Sequence, residues 1–166
     1  MLADLVICAR SPDAHFTTRL ILESALLNTG RPLLIPRAAG KPADFTGGTV
    51  AIAWKPTPQA ARAVGAAMPL LRRAKDIVVI SIEEESAPWQ MDGLVRNLAW
   101  HGLAVTAERL APKRRDPAKT LLEAASKTAS LLVMGGYGHS RIREWVFGGF
   151  TQQVLAAAPL AVLMAH

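Results

Sequence analysis

From residue 47 onward, short apolar runs rich in Val, Ile and Leu alternate with longer alanine-rich stretches. The short runs predict five β-strands, and the stretches between them predict four α-helices. Because the strand segments are almost continuously apolar, both faces of the sheet are expected to be buried. The pattern is typical of an α/β fold, an open parallel sheet with helices on both faces. The predicted strands are 49–54, 76–82, 103–109, 129–134 and 160–165, and the predicted helices are 58–73, 90–101, 116–127 and 147–157.

Two of these helices carry a start signal. Thr57 precedes Pro58, and Asp116 precedes Pro117. Thr and Asp side chains accept hydrogen bonds from the first helical turn, and proline suits the first helical position because it has no N–H to leave unpaired. We therefore expect Thr57 and Asp116 to be N-caps.

The amino-terminal segment repeats the end of the main pattern. Residues 3–9 (ADLVICA) are similar to 129–135 (ASLLVMG), and Pro32-Leu33-Leu34-Ile35 is similar to the segment that begins at Pro159. A helix is predicted between the two strands, around 15–28. Residues 1–37 thus predict a strand-helix-strand fragment, 38–48 a linker rich in Gly, Pro and Ala, and 49–166 the main domain. Such a fragment has exposed apolar faces, so it must dock on the main domain or on another copy.

The composition indicates a folded protein. Of 166 residues, 51% are hydrophobic, which is enough for a core. No apolar stretch approaches the ~18 to 20 residues that cross a bilayer, and the amino terminus lacks the pattern of a secretion signal. We therefore expect a cytoplasmic protein without a membrane partner. The single cysteine, Cys8, is expected to be a buried thiol.

The net charge of +6 introduces the question of nucleic-acid binding. The basic residues cluster where helix ends and loops are predicted, and no aromatic residues are interleaved with them. Nucleic-acid binding is therefore not expected. The four histidines show neither metal-ligand spacing nor a triad-like arrangement, so the sequence identifies no catalytic residue and no metal site.

The most informative segment is 134–150 (MGGYGHSRIREWVFGGF), which directly follows the fourth predicted strand. Its glycines permit close backbone approach, and it leads into a helix whose first N–H groups and dipole favour an anion. Ligands of open parallel sheets lie beyond the carboxyl ends of the strands, where this loop is expected. The segment therefore predicts a phosphate-binding loop.

The spacing Gly135-x2-Gly138-x9-Gly148 resembles the signature of the universal stress protein family, and the likeness extends over about 47–166. The resemblance implies an adenine nucleotide alpha hydrolase-like fold with strand order 3-2-1-4-5, ATP as ligand, and dimerisation through the last strand. Because many members carry two units in tandem, it also implies that 1–37 is the remnant of a truncated first unit. In that remnant, Ala9 and Pro12 replace the first two glycines.

Two departures from the family's ATP-binding pattern are expected to weaken binding. Members that bind ATP carry an Asp in the turn after the first strand, where this chain has Lys55-Pro56-Thr57. Their signature ends in Ser or Thr, where this chain has Gly149. Each lost hydrogen-bond partner costs about 1 to 3 kcal/mol, so two losses weaken binding by roughly 30- to 10,000-fold. The candidate ligand is ATP or another anion, and the candidate binding residues are Lys55, Gly135, Gly138, Ser140, Arg141, Gly148 and Gly149.

Alternatives remain open at several of these positions. The three signature glycines either bind phosphate or serve only the strand-to-helix turn. Ser140 either binds phosphate or caps the local backbone, and Arg141 and Arg143 are either phosphate ligands or exposed loop charges.

Two functions follow from these predictions. The first is a non-catalytic stress-response or regulatory protein with weak or absent ATP binding. It acts as a homodimer through the last strand and the amino-terminal fragment, with 32–36 pairing with 160–165 so that neither edge stays open. The alternative is an ATP-binding universal stress protein with slow ATPase activity.

Overall fold

The computed structural model describes residues 3–9, 15–37, 47–83, 91–113, 116–136 and 149–166. These residues form seven strands and five helices, which alternate along most of the chain. The strands are β1 (Val6–Ile7), β2 (Leu33–Ile35), β3 (Thr49–Ala53), β4 (Asp76–Ile82), β5 (Val105–Leu110), β6 (Ala129–Gly135) and β7 (Ala161–Ala165). The helices are α1 (His15–Asn28), α2 (Pro58–Leu71), α3 (Asp92–Trp100), α4 (Pro117–Ala125) and α5 (Gly149–Ala157).

All seven strands belong to one sheet, in the order β1-β2-β7-β6-β3-β4-β5. The strands β3 to β7 are mutually parallel. Counted from β3 as the first strand, their order in the sheet is 3-2-1-4-5, which confirms the expected order. The sheet has seven strands and not the five that were expected for the main domain, because β1 and β2 extend it. The strand β2 pairs in the antiparallel direction with β7, so the sheet is mixed rather than wholly parallel.

The amino-terminal segment is attached by the pairing expected between 32–36 and 160–165. The structure forms this pairing within one chain, with Leu33 opposite Met164 and Ile35 opposite Val162. Both Ile35 and Met164 are fully buried. The segment therefore shares the sheet and the core of the main domain.

Helices cover both faces of the sheet, as the nearly continuous apolar strands predicted. On one face, α1, α4 and α5 pack on strand residues such as Ile80 and Met134. On the other face, α2 and α3 pack on alternate strand residues such as Val79 and Val133. Each central strand is thus buried on both sides. Within the described ranges, no helix combines the length and the apolar character needed to span a membrane.

Both predicted helix starts are confirmed. The Thr57 side chain accepts a hydrogen bond from the Ala60 N–H, and the Asp116 side chain accepts one from the Lys119 N–H. The predicted first strand, 3–9, was too long, since only Val6 and Ile7 pair with β2. Among the described residues, this strand is the outermost of the sheet and pairs with β2 alone, whereas a central strand is held by a neighbour on each side.

Candidate functional site

The predicted site lies where β3 and β6 run side by side. These strands are parallel, with Ala53 opposite Met134, and they end at the same edge of the sheet. The chain leaves β3 towards β4 and leaves β6 towards β7, in opposite directions across the sheet. Such a reversal of strand order opens a crevice at the carboxyl ends of the strands. Lys55 lies two residues after the end of β3, and Gly135 is the last residue of β6. The structure therefore brings both residues to the edge of the sheet that the carboxyl ends of the strands form.

The turn between β3 and α2 is closed by its own hydrogen bonds. The Lys55 carbonyl accepts from the Thr57 N–H at 2.7 Å. The Thr57 hydroxyl accepts from the Ala60 N–H at 3.2 Å, and the Thr57 carbonyl accepts from the Ala61 N–H at 3.0 Å. The first helical residue, Pro58, has no N–H. The bond from Ala61 is the first regular bond of the helix, and the four positions before it, 57–60, have no acceptor within the helix. At three of these four positions the N–H is already bonded, as in Thr57 and Ala60, or absent, as in Pro58, which leaves little of the anion-binding capacity of a helix start.

Gly135 is fixed by packing against the start of α2. A Cβ atom at this position would lie 2.6 Å from the backbone nitrogen of Ala60 and 2.8 Å from the carbonyl carbon of Gln59. Real Cβ atoms do not approach backbone so closely. The absence of a side chain at Gly135 thus has a packing reason of its own, independent of any phosphate.

Gly136 was not singled out by the sequence analysis, yet it connects the loop to the rest of the molecule. Its N–H donates to the Ala165 carbonyl at 2.8 Å, and its carbonyl lies 3.2 Å from the Nδ1 of His166. A Cβ here would lie 2.6 Å from a terminal methyl carbon of Leu26, in α1. The amino-terminal segment therefore packs directly against the start of the glycine-spaced loop. The doubled glycine at 135–136 was the signal in the sequence.

Gly149 is the first residue of α5 and has space for a side chain. No atom of a described residue lies within 4 Å of the position that its Cβ would take. The missing hydroxyl is therefore not a consequence of crowding. The remaining candidates, Gly138, Ser140, Arg141 and Gly148, lie outside the described residues, as does Arg143, and their roles stay predictions.

Two buried polar atoms near this edge have no hydrogen-bond partner among the residues that the structure describes: Oε1 of Gln59 and Oγ of Ser81. Gln59 lies in the first turn of α2, and Ser81 lies near the carboxyl end of β4, where it is 2% exposed. Sequence reasoning missed both, because a polar residue at a strand end or helix start is common and only packing reveals its burial. In the described part of the chain, no three His, Cys, Asp or Glu side chains converge on a possible metal position.

The comparisons with known proteins agree with this arrangement of strands. The model of the Universal stress protein family matches residues 73–166, which is more than half of the chain. The chain belongs to the universal stress protein family. A comparison with curated protein sequences finds no match.

Solved structures place this universal stress protein beside longer relatives. It is similar to a universal stress protein from Archaeoglobus fulgidus DSM 4304, with a TM-score of 0.72 and 17% identity over 98% of this chain and 60% of that one. A functionally unknown protein from Pseudomonas aeruginosa PAO1 gives a TM-score of 0.60 and 17% identity over 97% of this chain and 62% of that one. At such identities the likeness shows the fold alone. The chain spans about three fifths of the length of these two proteins.

A shorter relative matches part of this chain. The universal stress protein UspA from Lactobacillus plantarum gives a TM-score of 0.50 and 17% identity, with 70% of this chain and 96% of that chain covered. Solved universal stress protein chains thus include both a shorter and a longer chain than this one.

Proposed function

We propose that this chain is a non-catalytic, regulatory universal stress protein that binds ATP weakly or not at all. The observation that carries the proposal is the closed turn between β3 and α2. There the Lys55 carbonyl occupies the Thr57 N–H, the Thr57 hydroxyl occupies the Ala60 N–H, and Pro58 supplies none. A phosphate or a ribose would have to displace these bonds or find its partners elsewhere.

The charge at this turn supports the same proposal. Members of the family that bind ATP present a carboxylate acceptor here, and this chain presents Lys55, which has only donors. At α5, the open space beside Gly149 lacks the hydroxyl that the family's signature supplies. Another anionic ligand would suit Lys55 better than the neutral donor groups of a nucleoside.

We also propose that 1–37 is the remnant of a truncated first unit, as the resemblance to tandem members implies. Two observations support this origin. The strand-helix-strand order of β1, α1 and β2 repeats that of β6, α5 and β7. These two groups of elements meet where β2 pairs with β7 in the antiparallel direction. The similar proteins from A. fulgidus and P. aeruginosa extend well beyond the part that this chain matches. A cytoplasmic location, a linker at 38–48 and a main domain at 49–166 belong to the same proposal.

One observation favours the alternative, an ATP-binding member with slow ATPase activity. The unpartnered Gln59 Oε1 and Ser81 Oγ lie near the edge where a nucleotide would bind. Buried polar groups are usually paired, so a ligand that donates to Gln59 and bonds to Ser81 would remove a cost of about 1 to 3 kcal/mol for each atom. The closed turn weighs against this alternative, because it offers the phosphates few donors.

The two candidates differ in what the purified protein carries and in what it turns over. Protein purified from cells without added nucleotide is denatured, and the released small molecules are separated and quantified. We expect far less than one adenine nucleotide per chain, and no phosphate release from ATP and Mg²⁺ above a buffer control. Stoichiometric ATP together with turnover that the Gly138→Val variant abolishes would establish the alternative.

A further inference from the structure

Gly136 is the residue at which the amino-terminal segment meets the glycine-spaced loop, 134–150. It is the first residue after β6, and both of its backbone polar groups are bonded to the end of β7. Its N–H donates to the Ala165 carbonyl at 2.8 Å, and its carbonyl lies 3.2 Å from the Nδ1 of His166. Because a carbonyl oxygen can only accept, the Nδ1 of His166 is the donor. The polar groups of Gly136 are thus fixed by the last strand.

Two methyl groups pack beside Gly136, where a side chain would otherwise lie. A Cβ at this position would be 2.6 Å from the Cδ2 of Leu26, in α1, and 3.0 Å from the Cε of Met164, in β7. Leu26 is 3% exposed and Met164 is fully buried. The amino-terminal segment and the main domain therefore each contribute one side chain that limits where Gly136 can lie.

The strand β2 provides a second connection between the amino-terminal segment and Gly136. Leu33, in β2, lies opposite Met164 in the antiparallel pair of β2 and β7. Leu26, Leu33 and Met164 belong to one buried cluster. Because core side chains are closely packed, a shift of α1 or of β2 changes the space that is left beside Gly136. Both elements thus act on the same residue.

We propose that the amino-terminal segment positions the start of the glycine-spaced loop, and that Leu26 is the positioning residue that acts on Gly136. The role is regulatory, because the point at which the chain leaves β6 depends on how α1 is docked. A ligand that favours another position of Gly136 weakens the docking of α1, and by reciprocity a loosened α1 changes the affinity of the loop for that ligand. This consequence rests on the proposed function, whereas the position of Gly136 does not.

Hydrogen exchange of the Gly136 amide, followed by NMR in the full chain, tests the assignment without any ligand. We expect this amide to be protected in the wild type, because it is bonded to the Ala165 carbonyl. Leu26→Ala should raise its exchange rate about tenfold or more, because the truncated side chain no longer limits where Gly136 lies. Leu26→Met keeps a terminal methyl group within reach and should restore the protection.

Leu22→Ala is the matched control for Leu26→Ala. It removes a side chain of the same size from the same helix and the same buried cluster, one turn away from Leu26. Both variants should speed the exchange of the slowest core amides, which report global unfolding. Only Leu26→Ala should also speed the exchange of Gly136, and Leu22→Ala should change that rate by no more than about twofold.

An exchange of size between Leu26 and Gly136 tests the contact by a second route. The φ angle of Gly136 lies outside the left-handed region, so alanine fits its backbone and adds only a methyl group. Gly136→Ala and Leu26→Ala should each lower the urea midpoint of unfolding. The double variant should have a higher midpoint than Leu26→Ala alone, because the new methyl group fills part of the vacated space.

The ring of His166 gives a readout that a loss of stability alone does not move. Nitrogen NMR at alkaline pH, where imidazoles are neutral, should show the Nδ1–H tautomer of His166 in the wild type and in Leu22→Ala. Leu26→Ala should shift His166 towards the Nε2–H tautomer, because the Gly136 carbonyl moves away. The exposed His101, at the end of α3, is the internal control and should not change.

Three results would overturn the proposal. The first is a Gly136 amide that exchanges in the wild type as fast as an unstructured peptide. The second is an equal effect of Leu26→Ala and Leu22→Ala on that amide. The third is a double variant of Gly136 and Leu26 whose loss of stability is the sum of the two single losses. Since none of these measurements uses a nucleotide, they stand whether or not the loop binds ATP.

Discussion

The backbone nitrogen of Ala60 lies 2.6 Å from the position that a Cβ of Gly135 would occupy. The end of β6 therefore packs directly against the first turn of α2. Gly135 belongs to the phosphate-binding signature, but its neighbours here are protein backbone. The packing role of Gly135 can therefore be tested by measuring the free energy of unfolding of a variant, without any measurement of ligand binding.

Gly135→Ala should lower the free energy of unfolding by about 1 to 3 kcal/mol, because the added methyl group overlaps with backbone that cannot move aside. Gly149→Ala is the matched control, since no atom in the described part of the chain lies within 4 Å of its Cβ position. The control should change the free energy of unfolding by no more than about 0.5 kcal/mol in the destabilising direction. Urea denaturation followed by circular dichroism measures both. Equal stability of the two variants would show that β6 does not constrain α2.

The N-cap of α2 gives a second prediction. Thr57→Ala should cost about 0.5 to 2 kcal/mol of stability, because the Ala60 N–H loses its acceptor. Thr57→Ser keeps an acceptor oxygen at the same place and should stay close to the wild type. The same denaturation measurement separates them. If alanine and serine behaved alike, the hydroxyl would not be closing this turn.

Two buried hydroxyl groups, one without a described hydrogen-bond partner and one with two hydrogen bonds, give a third prediction. Ser81 has no partner for its Oγ, whereas the Thr120 hydroxyl accepts from the Lys113 N–H at 2.9 Å and donates to the Asp116 carbonyl at 2.8 Å. Ser81→Ala should therefore leave stability unchanged or raise it by about 1 kcal/mol, and Thr120→Val should lower it by about 1 to 3 kcal/mol. Melting temperatures that fall equally in both variants would mean that Ser81 is paired in the folded protein.

The amino-terminal segment should unfold together with the main domain. Ile35→Ala and Leu163→Ala remove buried side chains from adjacent strands on either side of the antiparallel junction. Each should cost about 2 to 5 kcal/mol, and each should keep a single unfolding transition. The exposed Trp100→Ala is the control and should have little effect. A separate early transition in Ile35→Ala would show that 1–37 is not part of the core.

The sequence predicted the parts of this fold that depend on local patterns. Thr57-Pro58 and Asp116-Pro117 mark helix starts because capping and proline geometry act within a few residues of each other. The strand at 76–82 was predicted with its observed bounds, since buried strands carry a continuous apolar signal. The order of the last five strands came from the resemblance to a family and not from the pattern itself.

The rest depends on packing between distant residues. Nothing local in 32–36 indicates that β2 joins β7 in the antiparallel direction, and this direction merges the expected fragment with the main sheet. The contact between Leu26 and Gly136 likewise joins residues that are distant in sequence. Burial of Ser81 and of Gln59 Oε1 depends on how neighbouring elements cover them. Lys55 and Gly135 lie at the carboxyl ends of neighbouring strands, and only the structure shows that Gly135 has a packing role. That Lys55, Gly135 and Gly149 bind a ligand stays a prediction.

Restoring the two lost groups tests the central claim most directly. In the Lys55→Asp/Gly149→Ser variant, a carboxylate returns to the turn after β3 and a hydroxyl returns to the start of α5, where there is space for it. Isothermal titration of ATP with Mg²⁺ into this variant and into the wild type compares their affinities. We predict that the wild type shows weak or no binding and that the double variant binds at least about 30-fold more tightly. Tight binding of ATP to the wild type, with no gain in the double variant, would contradict the account.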